Sequence, residues 1–250
     1  MSYLNADLHC HSVVSDGTLT PTELAQRAKN NGVELWALTD HDEIGGCEEA
    51  AAAARALGLP YLTGVEISVS FAGKTVHIVG LGFDPSDPHM GRGLAQTRGG
   101  RGQRARDMAD QLARVGIQGA YEGALQWAGN PDLVPHRWAH LGDAVRWIRE
   151  GGGMAIVAHP ARYGFSANEE YALLTEFKQH GGEGIEVLTG SHTSQEALNY
   201  ANVARELGLA ASRGSDFHSP DESHTDLGTL PWLPGDLTPV WERLSDRIQH

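Results

Sequence analysis

The stretch "NADLHCHSVVSDG", residues 5–17, places two histidines one residue apart, with an aspartate on either side of the pair. Side chains alternate between the two faces of a strand, so Asp7, His9 and His11 are predicted to share one face. The opposite face is apolar and carries Leu4, Ala6, Leu8 and Cys10. Such an apolar row fits helices packed outside a parallel sheet, which leaves the polar row for an interior site.

Two imidazoles beside carboxylates indicate a metal site at the end of this strand. A single buried histidine is usually a hydrogen-bonded core residue, and that alternative applies to His9 and to His11 taken one at a time. Together on one face, neutral imidazoles and anionic oxygens are ligands that can satisfy a divalent cation. The pair therefore favours metal binding over simple core packing.

Composition limits the class of protein. A chain of 250 residues can form one large α/β domain, and a formal net charge of −13 argues against a surface that grips long nucleic acid. Two cysteines give no disulfide framework, and the N-terminus lacks the pattern of a signal peptide. The longest apolar stretches are too short for a membrane span. These features predict a cytoplasmic protein without a membrane partner.

Helix and strand signals alternate after the opening strand. In "TLTPTELAQRAKNNG", residues 18–32, Thr20 is a predicted N-cap, Pro21 the first helical residue and Glu23 the partner in a capping box. A strand, a helix and a further strand are predicted at 33–41, 45–58 and 59–71. This β-α-β-α-β order predicts a parallel sheet with helical crossovers.

A hairpin follows, in "EISVSFAGKTVHIVGLGF". A two-residue turn at Ala72 and Gly73 is predicted to close it. This register puts His77 opposite Ser68 and diagonal to Glu66 on the same face. A slip of one residue would separate the two polar side chains.

The pattern changes over residues 91–135, which are rich in arginine and glycine and predict a helical insertion between two parts of one barrel domain, 1–90 and 136–250. Arg101 and Arg104 on this insertion either face solvent or contact phosphate. The α/β alternation then resumes, with helices predicted at 143–150, 168–180 and 193–207 and strands at 154–160, 184–188 and the segment 209–220.

Titratable residues gather at the ends of the predicted strands, where active sites of parallel α/β folds form. The candidate metal ligands are His9, His11, Asp16, His41, Glu66, His77, His159, Asp216 and His218. These nine exceed the three or four protein ligands of one catalytic zinc, so two or three ions are predicted. Asp7 and Asp40 stand beside histidines and could instead accept a ring N–H that faces away from a metal. Asp40 is therefore also a candidate catalytic residue.

The motifs "DLHCHSVVSDGTLTPTEL", "ALTDHD", "GVEIS", "AHPARY" and "GSDFH" resemble the motif series of the PHP (polymerase and histidinol phosphatase) family. With its insertion, the chain is most similar to a bacterial branch of 3′,5′-nucleotide bisphosphate phosphatases, some relatives of which trim the 5′ ends of short RNA. The resemblance implies an α/β fold, a distorted (β/α)7 barrel, and a trinuclear site that usually holds Mn²⁺, with Mg²⁺, Fe²⁺ or Zn²⁺ as alternatives. All nine ligand positions of the family are filled.

The chain departs from that branch after the insertion. "GNPDL" runs almost directly into "VPHRWAHLGDAV", without the "R-x-H-F-A-R"-like segment that covers the site in such relatives. A shortened lid is therefore expected, with metal chemistry intact and nucleotide specificity altered. Arg137 either replaces the missing contact in part or is an ordinary loop arginine.

The chemistry implied is hydrolysis of the 3′-phosphate of nucleoside 3′,5′-bisphosphates by a metal-bridged hydroxide. Three divalent ions against three carboxylate ligands leave a charge of about +3, which would attract a small phosphorylated nucleotide into an otherwise acidic protein. Arg162 and His192 follow strand ends and are candidate catalytic residues, as a phosphate contact and as a proton donor to the leaving group. For each, an ordinary loop residue is the alternative.

Other functions stay open at this point. Within the family they are a 5′-to-3′ exonuclease on short oligonucleotides and a histidinol-phosphate-type phosphatase. Outside it they are a non-catalytic module that binds metal and nucleotide, and an amide or lactone hydrolase with similar metals. The helical insertion favours the nucleotide branch.

Overall fold

A computed structural model describes residues 4–114, 116–120 and 138–250, with 98–108 described as helical backbone. The strands are β1 (Ala6–Asp7), β2 (Leu35–Leu38), β3 (Tyr61–Phe71), β4 (Lys74–Leu81), β5 (Ala139–His140), β6 (Met154–Val157), β7 (Gly184–Thr189) and β8 (Ala210–Gly214). The helices are α1 (Pro21–Asn30), α2 (Cys47–Leu57), α3 (Pro88–Arg114), α4 (Leu141–Glu150), α5 (Ala167–Gln179), α6 (Ser194–Leu207) and α7 (Val240–Arg243). Two 3₁₀ turns lie at Pro160–Tyr163 and Ser245–Arg247.

The strands form one sheet in the order β1-β2-β3-β4-β6-β7-β8, with β5 paired to β3. The last strand returns to the first: the N–H of Leu8 donates to the carbonyl of Arg213 at 3.1 Å, and the N–H of Asp216 donates to that of His9 at 2.8 Å. The sheet is thus a nearly closed barrel. The predicted α/β barrel is confirmed.

The first strand is shorter than the alternation over residues 4–11 predicts. Beyond Asp7 the chain forms an isolated bridge between Cys10 and Phe217 and separate backbone hydrogen bonds to Arg213 and Asp216, but no regular strand. β4 is antiparallel to both of its neighbours, β3 and β6, whereas the other pairs of the barrel path are parallel.

Capping residues set the beginnings of three helices, as the sequence predicts for the first of them. The Thr20 hydroxyl accepts a hydrogen bond from the N–H of Glu23, and the Glu23 carboxylate accepts one from the N–H of Thr20. The same reciprocal arrangement begins α5 at Ser166 and α6 at Thr193. Each box satisfies N–H groups that a helix end leaves without a partner.

Apolar residues cover both sides of the sheet. The larger cluster joins strand residues such as Ile78 to Ile148 of α4 and Phe177 of α5. A second cluster, with Leu35 and Ile156, is built mainly from strand residues. These buried contacts hold the strand ends in place, which is what a site assembled from several strands requires.

The helix α3 occupies the first part of the predicted insertion and begins three residues before it, at Pro88. It packs closely on α4, because a β-carbon at Gly93 would lie 2.4 Å from the Trp147 ring. The predicted short lid and Arg137 lie outside the described residues. Within the described ranges, no helix combines the length and apolar character needed to cross a lipid bilayer.

The hairpin has the predicted register, with Phe71 opposite Lys74 and Ser68 opposite His77. Both turn residues have positive φ, 48° at Ala72 and 78° at Gly73. This combination is typical of the type I′ turn, whose preferred first residue is asparagine.

We expect Ala72→Asn to raise the free energy of unfolding by about 1 kcal/mol, because asparagine tolerates the left-handed conformation that strains alanine. Urea unfolding followed by circular dichroism measures the change. Gly73→Ala serves as the opposite control, and should lower stability because its φ of 78° suits glycine. A less stable Ala72→Asn variant would contradict the type I′ assignment of the turn.

Candidate metal centre

The carboxylate of Glu66 lies at the centre of a cluster of histidines. It projects from the middle of β3 and is completely buried. Five imidazole rings place a nitrogen within 3.3 Å of its oxygens, those of His9, His11, His41, His77 and His159. Three of these rings approach Oε2 and two approach Oε1, so the carboxylate bridges two groups of imidazoles.

Two further carboxylates extend the cluster. Oδ1 of Asp216 lies 3.5 Å from Nε2 of His9 and 3.3 Å from Nε2 of His11. Asp16 lies at the outer side, with carboxylate oxygens 3.6 Å from Nε2 of His41 and 3.6 Å from Nε2 of His218. All nine residues that the sequence singles out as ligands are therefore in one place.

Donor atoms within 4.8 Å of one another form three overlapping groups, namely His11, Asp16, His41 and His218; His9, His11 and Glu66; and His41, Glu66 and His77. Each group mixes imidazole nitrogen with carboxylate oxygen. This donor set suits divalent ions such as Zn²⁺, Fe²⁺ and Mn²⁺. Overlap of the groups is the arrangement expected where neighbouring ions share ligands.

Unpaired polar atoms inside the cluster test whether a metal fits. Among the described residues, Oε2 of Glu66 and Nδ1 of His11, His41, His77 and His159 are buried without a well-aligned hydrogen bond, although Nδ1 of His41 and of His77 lie 2.9 and 3.0 Å from Glu66 oxygens. Buried polar groups are nearly always paired, because an unpaired one loses its interactions with water. Cations bound to these lone pairs would supply the missing interactions. The residues present therefore fit a group of divalent ions.

The charges of the cluster are strongly coupled. Burial alone would raise the pKa of the Glu66 carboxyl, but the neighbouring His9, His77 and His41 hold it well below its usual range. Burial alone would lower the pKa of His9, whereas Glu186, Glu66 and Asp216 raise it well above the usual value. The site thus keeps its carboxylates ionised, as metal ligands must be.

Glu186, which the sequence pattern did not single out, holds one of these rings. Its Oε1 lies 2.8 Å from Nδ1 of His9, and its Oε2 accepts the backbone N–H of His159 at 2.7 Å. The contact turns Nε2 of His9 toward Glu66. An acidic residue among the apolar residues of the wholly buried strand "GIEVLT", which ends at Thr189, is the sequence signal that could have revealed it.

Asp7 and Asp40 differ from expectation, since their carboxylates contact loops and not histidine rings. Asp40 accepts hydrogen bonds from the N–H and hydroxyl of Ser12 and from the hydroxyl of Ser15, each at 2.7 Å. Asp7 accepts the N–H groups of Ser215 and Gly228, and burial raises its pKa to about 6. Both side chains point toward loops that leave the strand ends. The contact expected of them is made by Glu186.

Arg162 lies at the mouth of the cluster. Its guanidinium is half exposed and donates to Oδ2 of Asp216 at 2.8 Å. It is therefore close to the candidate ligands and open to an incoming anion. The side chains of Arg101 and Arg104 lie outside the described part of the chain.

Both ring nitrogens of His192 contact the main chain. Nδ1 lies 3.1 Å from the carbonyl of Val187, and Nε2 lies 3.4 Å from the N–H of Ala161. The ring stacks on Tyr200, and burial lowers its pKa. In this arrangement His192 ties the turn at Pro160–Tyr163 to β7. A proton-donor role would require it to leave one of these contacts.

Two candidate ligands have strained backbones. His159 lies shortly after β6 with φ 22°, and Asp216 lies shortly after β8 with φ 56°. A non-glycine residue in such a conformation costs on the order of 1–3 kcal/mol, and such residues concentrate at functional sites. The barrel therefore gives up stability to direct these two side chains inward.

Comparison with known proteins agrees with the geometry. Residues 7–210 match the model of the PHP domain. The chain belongs to the PHP domain family. A 3′,5′-nucleoside bisphosphate phosphatase from Chromobacterium violaceum is 44% identical, with 98% of each chain covered. A 5′-3′ exoribonuclease from Haemophilus influenzae is 37% identical, with 95% of this chain and 98% of the relative covered.

Solved structures show the same fold. An amidohydrolase from Chromobacterium violaceum, with sulfate bound and no metal, superposes with a TM-score of 0.91 at 43% identity over 98% of both chains. A metal-dependent phosphoesterase from Bifidobacterium adolescentis shares the fold, with a TM-score of 0.73 at 24% identity over 97% of this chain and 96% of that one.

We expect Glu186→Gln to weaken Mn²⁺ binding by about 10- to 100-fold, the usual effect of removing a group that orients a metal-binding histidine. The amide has one acceptor oxygen, yet the ring of His9 and the N–H of His159 both need one. Calorimetric titration of chelator-treated protein measures the affinity. Glu183→Gln, at a partly exposed site just before the same strand, is the matched control. Equal affinity in the two variants would show that Glu186 does not orient the ring.

Proposed function

We propose that this PHP protein is a metal-dependent phosphatase that hydrolyses the 3′-phosphate of nucleoside 3′,5′-bisphosphates. The observation that carries the proposal is the buried Glu66 carboxylate among five imidazoles. It occurs in a chain that is 44% identical over 98% of its length to a 3′,5′-nucleoside bisphosphate phosphatase. Family membership supports the reaction class, and that relative supports the choice of substrate.

The proposed cofactors are two or three divalent ions, with Mn²⁺ as the preferred ion. The nine clustered residues are their proposed ligands. Such ions would supply an activated water and the positive charge that phosphoryl transfer requires. Residues of the chain would hold these ions: Glu66 joins both halves of the cluster, and Glu186 fixes the direction of the His9 ring. Asp40 holds Ser12 and Ser15 of the loop between His11 and Asp16.

Arg162 is the proposed phosphate contact. A guanidinium donates in a fork that matches two phosphoryl oxygens, and this one is half exposed beside Asp216. A cation held by Asp216 would balance the charge of this carboxylate, and Arg162 would then be available to a substrate phosphate. His192 acts on the site through the turn that carries Arg162, since its Nε2 meets the N–H of Ala161.

The proposed domain organisation is one barrel, 1–90 and 136–250, with a helical insertion at 91–135. The long helix Pro88–Arg114 supports it, because it packs on α4 through Gly93 and Trp147 and adds no strand to the sheet. We propose a small nucleotide as the partner. The net charge of −13 disfavours a long nucleic acid on the surface.

A second candidate is 5′-to-3′ hydrolysis of short RNA. It rests on the exoribonuclease of Haemophilus influenzae, which is 37% identical over nearly the same span. Both reactions break a phosphate ester attached to ribose, so one metal centre suits both. They differ in whether the scissile phosphate is terminal.

Phosphate release distinguishes these functions. We expect Mn²⁺-loaded protein to hydrolyse adenosine 3′,5′-bisphosphate faster than histidinol phosphate or a 5′-phosphorylated trinucleotide, and to lose activity on chelation. Faster cleavage of the trinucleotide would favour the exonuclease. Binding of the bisphosphate without turnover would overturn the phosphatase proposal in favour of a binding module.

His11→Ala should abolish phosphate release while the barrel stays folded. The ring lies between Glu66 and Asp216, so its loss removes a ligand shared by two donor groups, and the apolar clusters are untouched. Circular dichroism checks the fold, and a phosphate-release assay measures the activity. His89→Ala, at an exposed position on α3, is the control and should behave as the unmodified protein. Full activity of His11→Ala would refute the site.

Arg162→Ala should raise KM for adenosine 3′,5′-bisphosphate about tenfold or more, the effect of losing a charged hydrogen bond to substrate. Arg162→Lys should recover part of the loss, since it restores the charge without the fork. Steady-state kinetics give the KM of each variant. Arg55→Ala, on the exposed side of α2, is the control. An unchanged KM would remove Arg162 from the substrate contacts.

A further inference from the structure

One hydrogen bond is replaced where β4 and β6 approach the cluster. These strands are antiparallel with Ile78 opposite Val157, so His77 lies opposite Ala158. Residues of a hydrogen-bonded antiparallel pair exchange two N–H···O bonds. Here one is present, from the N–H of Ala158 to the carbonyl of His77 at 3.1 Å.

The hydroxyl of Tyr163 stands in the position of the second bond. It accepts the N–H of His77 at 2.8 Å and donates to the carbonyl of Ala158 at 2.9 Å. A direct bond would bring this N–H and carbonyl to about 2.9 Å. The inserted oxygen satisfies both groups and holds them farther apart. Tyr163 thus acts as a wedge between the two strands.

The wedge contacts the backbone beside two imidazoles that both approach Oε1 of Glu66. Nδ1 of His77 is 3.0 Å from Oε1 of Glu66, and Nε2 of His159 is 2.9 Å from the same atom. One end of the hydroxyl relay is the backbone of His77 itself, and the other is the residue before His159. The separation of the strands therefore sets the separation of the rings.

We infer that Tyr163 is a positioning residue, whose hydroxyl sets the spacing of His77 and His159 for metal binding. The inference rests on the proposed metal centre.

Contacts from both sides hold the wedge in place. The ammonium of Lys74, at the start of β4, donates to the carbonyls of Tyr163 at 2.7 Å and Gly164 at 3.0 Å. On the other side, His192 meets the N–H of Ala161 in the same turn. Burial raises the pKa of the Tyr163 phenol well above its usual value, so the hydroxyl keeps the proton it donates.

Tyr163→Phe tests the inference, because it removes the relay and keeps the ring. The N–H of His77 and the carbonyl of Ala158 then lose their partner or move together, and either change misplaces the rings. We expect Mn²⁺ alone, titrated into chelator-treated protein, to bind about 10- to 100-fold more weakly. Tyr171→Phe is the matched control, since this tyrosine is exposed on α5 and contacts neither the relay nor His192 in the described structure. It should bind Mn²⁺ as the unmodified protein does.

Thermal unfolding of the metal-free variants shows whether weaker Mn²⁺ binding comes from misplaced ligands or from loss of the fold. If Tyr163→Phe does not fold, Lys74→Met replaces it: this exposed ammonium holds the same turn without touching the relay, and its loss should weaken Mn²⁺ binding in the same direction to a smaller extent. Unchanged affinity in a folded Tyr163→Phe protein, or in Lys74→Met where that variant replaces it, overturns the inference alone. Failure of the unmodified protein to bind Mn²⁺ overturns the proposed metal centre together with it.

Discussion

The ionised carboxylate of Glu66, sealed from solvent among imidazoles, is the constraint on which the rest of the site depends. Removing such a charge from water costs several kcal/mol unless it is compensated on all sides. Both oxygens are therefore surrounded by nitrogen donors from separate strands. The barrel supplies this shell by bringing several strand ends together, and neighbouring carboxylates at Asp16 and Asp216 extend it outward.

The antiparallel strand β4 brings a candidate ligand to the cluster from a direction that a purely parallel barrel would not supply. A parallel strand delivers its carboxyl end to the site, whereas β4 brings His77 from its amino-terminal half. β3 and β4 are also the longest strands and continue past the cluster to the hairpin tip. That tip carries Lys74, whose ammonium reaches the turn after β6. The hairpin therefore contributes a candidate ligand and a support for the opposite strand.

Local signals explain what could be predicted from the sequence. The capping box at Thr20 and the turn at Ala72 depend on residues close in the chain, and the hairpin register follows from that turn. The gathering of candidate ligands followed from their places after predicted strands. The partners of Glu186 and Tyr163 could not be assigned in this way, because they lie on other elements and become neighbours only when the barrel closes. The partners of Asp40 were mistaken for the same reason.

Residues from distant parts of the sequence also meet in this site. One donor group combines His11 and Asp16, close to the first strand, with His218, beyond the last. A nascent chain therefore cannot complete the centre until the segment after β8 has left the ribosome and docked beside β1. Ion capture by the full group must follow synthesis of that segment, and a product truncated before residue 218 would lack the donor that completes the barrel's polar end.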